Sequence, residues 1–564
     1  MLWNAVRSTC KSCNKTKALA LATPHPHRRT QGGGWTGAAT RALALSLGLA
    51  CGAASAAPPE DLDARVEQLL AQYDVPGMAV SIVEQGRTVH AAGYGVRRLG
   101  SSERVDADTI FQTGSTGKAI TSAALAVLVD EGRIDWDDRV IDHLTDFQMH
   151  DAWVTREITI RDLLVHRSGL GLGAGDLLFV PRSSLSRAET VRRLRHLRPE
   201  TSFRSGYAYD NLLYVVAGQL IEAVSGQSWE VFVRERVLAP AGMRSSTTED
   251  AARLASPNRA HPHARLDGGL RGIGTQELLD EAKGLGSNAA PAGGISSSAH
   301  DMARWLTIQL AHGALPEGGR LFSEKASREM WTPQVLMPIS QAPGELADTT
   351  PQFSAYALGW SVRDYRGVKI IEHGGAVFGV QTMVVLIPGR DVGFALQMNA
   401  EDGIVLRGLT YELLDHYLDA PKRDWVAAYA RFKSARDTAA LAQVGAGAQD
   451  SKVRSKPSLP LAGYAGDYAD AWYGPIGLRH EGGVLRIDFR QTPDMAGTLE
   501  HWQYDTFKVR WDDRTIEPAF VSFALDAEGK VERITMKAVS PLADFSYDYH
   551  DLLFKPVPTD KRSR

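Results

Sequence analysis

The residues best suited to chemistry begin with Gly114-Ser115-Thr116-Gly117-Lys118, which is followed by an almost unbroken apolar run to Leu128. The run predicts a buried helix that stops at Gly132. Ser115 and Lys118 lie three positions apart, so on a helix their side chains share one face. Free N–H groups at a helix N-terminus favour developing negative charge. The spacing predicts a serine nucleophile with a lysine within hydrogen-bond reach, or else a helix cap beside a solvated lysine.

Two later stretches carry further candidate groups. Tyr209-Asp210-Asn211 lies in a loop that enters a predicted helix over residues 212–224, and His373-Gly374-Gly375 follows a predicted strand. A phenol, an amide and an imidazole can each accept, donate or position a proton. From the residues alone, Tyr209 and Asn211 could equally be ordinary loop residues, and His373 a structural residue at a strand end.

Composition limits the size and the partners of the protein. A chain of 564 residues exceeds one ordinary domain and predicts two or three. Hydrophobic residues make up 44% of the chain, which is ample for a large core. The formal net charge of −3 indicates no basic surface, so we expect no nucleic-acid partner.

The first 56 residues have the pattern of a targeting segment. They hold seven basic residues and no acidic one, then a short apolar run at 42–50 and the small residues Ala54-Ser55-Ala56. This pattern predicts a secretory signal peptide over 1–56 and a periplasmic or secreted product, with a mitochondrial transit peptide as the alternative. All three cysteines lie in this segment, so we expect no disulfide and no thiol chemistry in the mature chain. No other long apolar run follows, so we expect no stable membrane insertion after cleavage.

The rest of the chain divides by its periodicity. Strand patterns near residues 78–92 and 380–398 flank a helical middle, which predicts an α/β sheet built from both ends of a domain over 57–430. Residues 431–460 are assigned as a linker, because 444–460 are rich in Gly, Ala, Ser, Lys and Pro without periodicity. Apolar residues then alternate with polar ones, which predicts a small all-β barrel or sandwich over 461–556. The pattern of residues 188–198 predicts a basic helix with a solvated face. Residues 255–295 are predicted to form a long functional loop. His261 and His263 in this loop could bind a metal, but no third ligand is evident, so surface positions are expected.

The three candidate stretches, in this order and spacing, resemble the serine β-lactamase/penicillin-binding-protein-like family. Within it they are most similar to the class C β-lactamase-related serine hydrolases, in the branch of D-aminopeptidases, carboxypeptidases and esterases. Residues 75–80, 158–170 and 292–294 also look like family landmarks. The resemblance covers about residues 60–420, and the C-terminal part resembles an appended lipocalin-like domain. It implies an antiparallel sheet flanked by helices plus an all-helical subdomain.

The resemblance implies a role for each candidate residue. Ser115 would attack a carbonyl and form an acyl-enzyme, with Lys118 or Tyr209 as the base that takes its proton. Asn211 would hydrogen-bond the substrate and Lys118. The backbone N–H groups of Ser115 and Ala376 would form the oxyanion hole. A nearby ammonium would lower the pKa of Tyr209, and burial would lower that of Lys118.

One departure from the β-lactamase pattern bears on the substrate. Those enzymes usually carry Lys-Thr-Gly where this chain has His373-Gly374-Gly375. An imidazole with an ordinary pKa is mostly neutral at pH 7, and Gly374 offers only its backbone. The sequence therefore predicts weak hydrolysis of β-lactams, whose carboxylate the lysine would hold.

These observations favour a serine hydrolase that acts on a small ester, amide or D-amino-acid-containing peptide. The first alternative is a β-lactamase or D-Ala-D-Ala carboxypeptidase, and the second is a catalytically silent relative that binds peptidoglycan or a partner. We expect a small-molecule or short-peptide substrate, no organic cofactor and no metal. The sequence leaves the oligomeric state open.

Replacing Ser115 by alanine tests the assignment of the nucleophile. We expect Ser115→Ala to abolish turnover and covalent labelling by a fluorophosphonate while the fold stays intact, because the three candidate stretches converge on this one nucleophile. Labelling followed by peptide mapping is the measurement. Retained labelling at another serine would contradict the assignment.

Overall fold

The structure is a computed structural model that describes residues 57–450 and 455–558. From Ala57 onward the chain forms one compact unit. The predicted signal peptide, with its three cysteines, lies outside the described residues. Among the residues described, no helix is both long and apolar enough to cross a membrane.

The first part of the chain is built on one antiparallel sheet. Its eight strands run in the order β2-β1-β12-β11-β10-β9-β8-β7, so strands from the two ends of this part, β1 and β12, pair side by side. Two short pairs, β3–β6 and β4–β5, lie outside the sheet. The strands are β1 Gly77–Glu84, β2 Arg87–Gly95, β3 Phe111–Gln112, β4 His263–Arg265, β5 Gln276–Leu278, β6 Ser296–Ser297, β7 Val335–Leu336, β8 Ser354–Tyr356, β9 Ser361–Tyr365, β10 Val368–Val377, β11 Val380–Ile387 and β12 Val392–Met398.

Helices cover both faces of this sheet. Every residue of β1 and β12 is buried, because one face packs on α1 and α13 and the other on α11. Helices α2, α5, α7 and α8 pack on one another in the predicted helical subdomain, and α14 packs on α13. The helices are α1 Leu62–Gln72, α2 Lys118–Asp130, α3 Val140–His143, α4 Ala152–Glu157, α5 Ile160–Leu164, α6 Arg187–Arg193, α7 Leu212–Ser225, α8 Trp229–Val233, α9 Asp250–Ala255, α10 Ala290–Gly293, α11 Ala299–Leu310, α12 Glu324–Met330, α13 Gly403–Tyr417 and α14 Trp425–Asp450. The predicted fold class is confirmed.

The C-terminal part is a closed, eight-stranded antiparallel barrel. Its strands are β13 Gly466–Asp470, β14 Gly474–Glu481, β15 Val484–Phe489, β16 Ala496–Gln503, β17 Thr506–Trp511, β18 Ala519–Leu525, β19 Val531–Ala538 and β20 Leu553–Pro556. Pairing of β13 with β20 closes the barrel. Of the two predicted architectures, the structure therefore has the barrel and not the sandwich. The rings of Tyr473, Phe489, Phe507 and Phe554 fill the interior, as expected for a barrel of this size.

Three sequence predictions need correction here. Helix α14 occupies 431–450, so most of the assigned linker is helical. The 255–295 region contains β4, β5 and α10 and is not one structureless loop. The basic segment at 188–198 is not wholly solvated, because Arg193 donates to the carbonyl oxygens of Trp472 and Tyr473 in the barrel.

The barrel docks against the first part of the chain through buried polar contacts. The Asp548 carboxylate accepts hydrogen bonds from the backbone N–H of Gly175 at 2.7 Å and of Leu177 at 3.1 Å. Lys283 pairs with Asp513 of the barrel at 2.9 Å. Asp548 is fully buried, and one apolar cluster includes residues of both parts. We therefore expect the barrel and the first part of the chain to unfold together.

The Asp548 contact predicts a measurable loss of stability. Asp548→Ala would leave two buried N–H groups without an acceptor, which costs about 2–5 kcal/mol in total. We expect a clear fall in the denaturation midpoint of the full-length chain. Asp548→Asn keeps one side-chain oxygen and should lose about half as much. An unchanged midpoint in Asp548→Ala would show that this docking contact does not stabilise the fold.

Candidate active site

The nucleophile stands on a tight turn that leads into α2. Residues Gly114–Gly117 form a single 3₁₀ turn, and α2 continues directly from Lys118. The Lys118 Nζ lies 3.0 Å from the Ser115 Oγ, so the two side chains share one face as predicted. Ser115 is half-buried, whereas Lys118 is fully buried and not solvated.

Two acceptors fix the amine of Lys118. Its Nζ donates to Asn211 Oδ1 at 2.7 Å and to the Ala292 carbonyl oxygen at 2.8 Å. A neutral amine has two N–H bonds and one lone pair. Because both of these partners can only accept, the lone pair is left facing the Ser115 hydroxyl. The contacts therefore hold Lys118 in the orientation of a base.

The surroundings of Lys118 make that base form accessible. Burial lowers the pKa of Lys118 to about 7, although the carboxylates of Asp176 and Asp210 oppose the shift. Burial also raises the pKa of Asp176 to about 8 and that of Asp210 to about 7. The three groups titrate as one cluster near neutral pH, where a large fraction of the amine is uncharged.

Tyr209 lies on the other side of the nucleophile. Its hydroxyl interacts with that of Ser115, and its ring centroid is 5.0 Å from the Lys118 Nζ. Burial raises the pKa of Tyr209 well above its usual value, and the hydrogen bond with Ser115 only partly opposes this. The expected lowering by the ammonium is therefore wrong, because desolvation is the larger effect. Tyr209 stays protonated and is suited to pass on a proton rather than to start the attack.

The segment over 158–170 contacts the loop that carries Tyr209 through hydrogen bonds and ring packing. The Ala208 N–H donates to the His166 carbonyl oxygen at 3.0 Å, and the Tyr214 hydroxyl to the Leu164 carbonyl oxygen at 2.7 Å. The His166 ring lies 4.2 Å from the ring of Tyr209, centroid to centroid. The Tyr356 ring lies 4.4 Å from that of His166. The sequence pattern did not single out Tyr214 or Tyr356.

His373 is an internal residue of β10 rather than a strand-end residue. Its Nδ1 lies 2.6 Å from the Gly374 carbonyl oxygen and its Nε2 2.7 Å from the Tyr356 hydroxyl. A carbonyl can only accept, so Nδ1 carries the proton and Nε2 accepts from Tyr356. Burial lowers the pKa of His373 to about 3, so the ring is neutral at physiological pH. The ring is 5% exposed, with both nitrogens engaged inside the protein.

The backbone after His373 passes very close to the nucleophile turn. A Cβ on Gly375 would lie 2.2 Å from the Thr113 carbonyl oxygen and 3.1 Å from the Ser115 nitrogen. A Cβ on Gly114, whose φ is +54°, would lie 2.8 Å from the Ala376 nitrogen. Two glycines thus bring the amides of Ser115 and Ala376 together, which is the arrangement an oxyanion hole requires. Gly374 and Ala376 are both exposed.

The barrel supplies part of the site, which the sequence did not indicate. The Phe545 ring lies 5.9 Å from the Tyr209 ring, and the Ser546 Oγ donates to Asp176 Oδ2 at 2.8 Å. The Asn211 Nδ2 donates to the same oxygen at 2.8 Å. Asp176 had no motif to mark it, and Ser546 lies 370 positions away in the chain.

The two histidines of the 255–295 region have structural partners. His261 Nδ1 lies 2.6 Å from Glu281, and His263 Nδ1 lies 2.9 Å from the Asn399 carbonyl oxygen. Over the described ranges, no group of three or more His, Cys, Asp or Glu side chains is arranged to hold a metal ion.

Comparisons with known proteins add an independent line of observation. The family model described as Beta-lactamase matches residues 62–418, and the Domain of unknown function (DUF3471) matches residues 450–556. The chain is 30% identical over 426 residues to Unguisins hydrolase ungD' of Aspergillus campestris (strain IBT 28561), covering 72% of this chain and 75% of that protein. It is 30% identical over 339 residues to Penicillin-binding protein 4 of Amycolatopsis lactamdurans, covering 59% and 84%. The octameric penicillin-binding protein homologue from Pyrococcus abyssi shares the fold, with a TM-score of 0.55 and 20% identity over 85% of this chain and 98% of that one.

The close approach of Gly375 to the nucleophile turn gives a sharp prediction. Gly375→Ala would push β10 away from the turn and misplace one oxyanion donor, so kcat/KM should fall by about 100-fold or more. Gly389→Ala is the matched control, because a Cβ there meets nothing within 4 Å. Ester turnover and the rate of fluorophosphonate labelling are the measurements. Equal rates in both variants would contradict the proposed oxyanion geometry.

Proposed function

The chain belongs to the beta-lactamase family, and on that premise we propose that it is a serine hydrolase that acts through an acyl-enzyme on a small ester, amide or D-amino-acid-containing peptide. The observation that carries the proposal is the contact of Lys118 with Ser115. A buried lysine whose other two hydrogen bonds go to acceptors leaves its lone pair for one hydroxyl. A protein that only binds a ligand needs no such pairing.

Acylation follows from this geometry in two proton transfers, one to Lys118 and one from it. The neutral amine of Lys118 takes the hydroxyl proton while the Ser115 Oγ bonds to the substrate carbonyl carbon. The carbonyl oxygen becomes an oxyanion facing the amides of Ser115 and Ala376. When the tetrahedral intermediate collapses, the leaving alkoxide or amine takes a proton from the Lys118 ammonium through the Tyr209 hydroxyl.

Deacylation repeats these steps with water as the nucleophile. The leaving group carries its proton away, which returns Lys118 to its neutral form. Water then loses a proton to the Tyr209–Lys118 pair and attacks the acyl carbon, and Ser115 regains its proton as the ester bond breaks. Each turnover consumes one water and leaves the enzyme unchanged.

The electrostatics of the cleft favour a neutral group at the position where β-lactamases hold a carboxylate. His373 is uncharged and gives its one N–H to the Gly374 carbonyl, so it offers neither charge nor donor to a substrate. The Arg363 guanidinium nearby on β9 is paired with Glu372 at 2.7 Å. Of the relatives, one is named for the hydrolysis of unguisins and another as a penicillin-binding protein, which supports acyl transfer as the common chemistry.

A substrate panel tests the proposal. We expect hydrolysis of p-nitrophenyl acetate or butyrate, or of a D-amino-acid p-nitroanilide, at rates that Ser115→Ala abolishes. Nitrocefin should be hydrolysed weakly or not at all, because His373 offers neither a charge nor a free N–H to the nitrocefin carboxylate. Efficient nitrocefin turnover would favour the β-lactamase alternative. A protein that hydrolyses no substrate and is not labelled by a fluorophosphonate would favour the catalytically silent, ligand-binding alternative.

The pH dependence of the same reaction tests the base. Lys118 must be neutral to take a proton, so kcat/KM should rise with pH through about 7 as the Lys118 cluster titrates. The raised pKa of Tyr209 predicts that no fall follows up to about pH 9. Tyr209→Phe should lower the rate yet keep the rise near pH 7. A rise that disappears in Tyr209→Phe would make Tyr209 the base.

A further inference from the structure

A continuous chain of hydrogen bonds runs from the barrel to the nucleophile. The Ser546 Oγ donates to Asp176 Oδ2, and the Asn211 Nδ2 donates to the same oxygen, both at 2.8 Å. The Asn211 Oδ1 accepts from the Lys118 Nζ at 2.7 Å, and that Nζ lies 3.0 Å from the Ser115 Oγ. The chain joins the barrel to the reacting hydroxyl through three intervening side chains.

We propose that Ser546 is a positioning residue for the acyl-enzyme reaction, supplied by the barrel and acting through Asp176 and Asn211 on Lys118. The inference rests on the proposed function. It makes the barrel a part of the catalytic site rather than an appended domain.

The argument begins with the amide of Asn211, which has two possible orientations. In these contacts the Lys118 Nζ donates and the Asp176 Oδ2 accepts. The oxygen of the amide must therefore face Lys118 and the nitrogen must face Asp176. A fixed Asp176 is what keeps the Asn211 oxygen on the amine.

Few contacts hold Asp176 in place. Its Oδ1 is buried and has no hydrogen-bond partner among the described residues, so Oδ2 carries both hydrogen bonds made by the side chain. Ser546 is therefore the one donor to this carboxylate, within the described part of the chain, that does not itself contact Lys118. Ser546 is held in turn, because its N–H donates to Asp544 at 2.9 Å and Asp548 anchors the same loop on Gly175 and Leu177.

The charged and titratable groups around this chain set the direction of a pH effect. Burial and the charge of Asp544 raise the pKa of Asp176. Its interactions with Asn211, Ser546 and Lys118 lower that pKa. Asp548 also faces Asp176, while Asp210, Tyr209, His166 and His373 lie around Lys118. Loss of the Ser546 hydroxyl would leave Asp176 protonated to higher pH. Less negative charge would then face Lys118, and the pKa of the lysine would fall.

The test compares Ser546→Ala with Ser546→Thr and with Ser540→Ala in the full-length chain. Ser540 lies in the same barrel loop, but among the described residues its hydroxyl accepts only from the Leu542 N–H nearby. For a p-nitrophenyl ester, we expect kcat of Ser546→Ala to fall about tenfold with KM changed less than twofold. The rise of kcat/KM with pH should move to lower pH. Ser546→Thr should restore most of the rate, and Ser540→Ala should match the parent protein.

Labelling of Ser115 by a fluorophosphonate separates this inference from the proposed function. Parent protein that neither labels nor turns over any ester would overturn both. If the parent protein labels, and Ser546→Ala labels at the same rate and with the same pH dependence, only the role of Ser546 is overturned. Slower labelling that Ser546→Thr restores, at an unchanged melting temperature, is the result expected of a positioning residue. A fall in melting temperature with unchanged kcat and pH profile would assign Ser546 to stability and overturn the inference.

Discussion

The burial of one amine is the constraint on which the rest of the site depends. An isolated ammonium without water costs several kcal/mol, so Lys118 must be surrounded by acceptors or lose its proton. The protein uses both effects. Asn211 and the Ala292 carbonyl accept from Lys118, the ionised forms of Asp176 and Asp210 oppose the loss of its proton, and desolvation still brings its pKa close to 7. The balance leaves an amine that is held firmly and can still accept a proton.

The same burial separates the roles of the two groups beside Ser115. Desolvation disfavours the charged form of any group, so it lowers the pKa of an amine and raises that of a phenol. Lys118 and Tyr209 share one environment, yet their pKa values move in opposite directions. The amine therefore becomes available as a base, while the phenol keeps its proton and can relay it. His373 follows the same rule, which leaves a neutral ring where related enzymes carry a cation.

The barrel is joined to this arrangement by polar contacts as well as by apolar packing. Its interior is filled with aromatic rings, and its loop over 544–549 reaches the region behind Lys118. A Cβ on Gly173 would meet the Phe545 carbonyl oxygen at 2.6 Å, so the loop and the first part of the chain lie in direct contact. Asp548 completes the backbone hydrogen bonding of residues 175–177. The conformation of the segment that carries Asp176 thus depends on both parts of the chain.

The sequence by itself determined the properties that depend on residues close together in the chain. The spacing of Ser115 and Lys118, the apolar run of α2, the period-two pattern of the barrel and the order of the three candidate stretches each follow from neighbouring residues. Helix α14 was missed because its composition lacks an apolar period and resembles a linker. Only the tertiary structure decided the state of Lys118, the inward direction of His373 and the parts played by Asp176, Tyr356 and Ser546. Those properties arise from desolvation and from contacts between residues up to 370 positions apart, which no local pattern records.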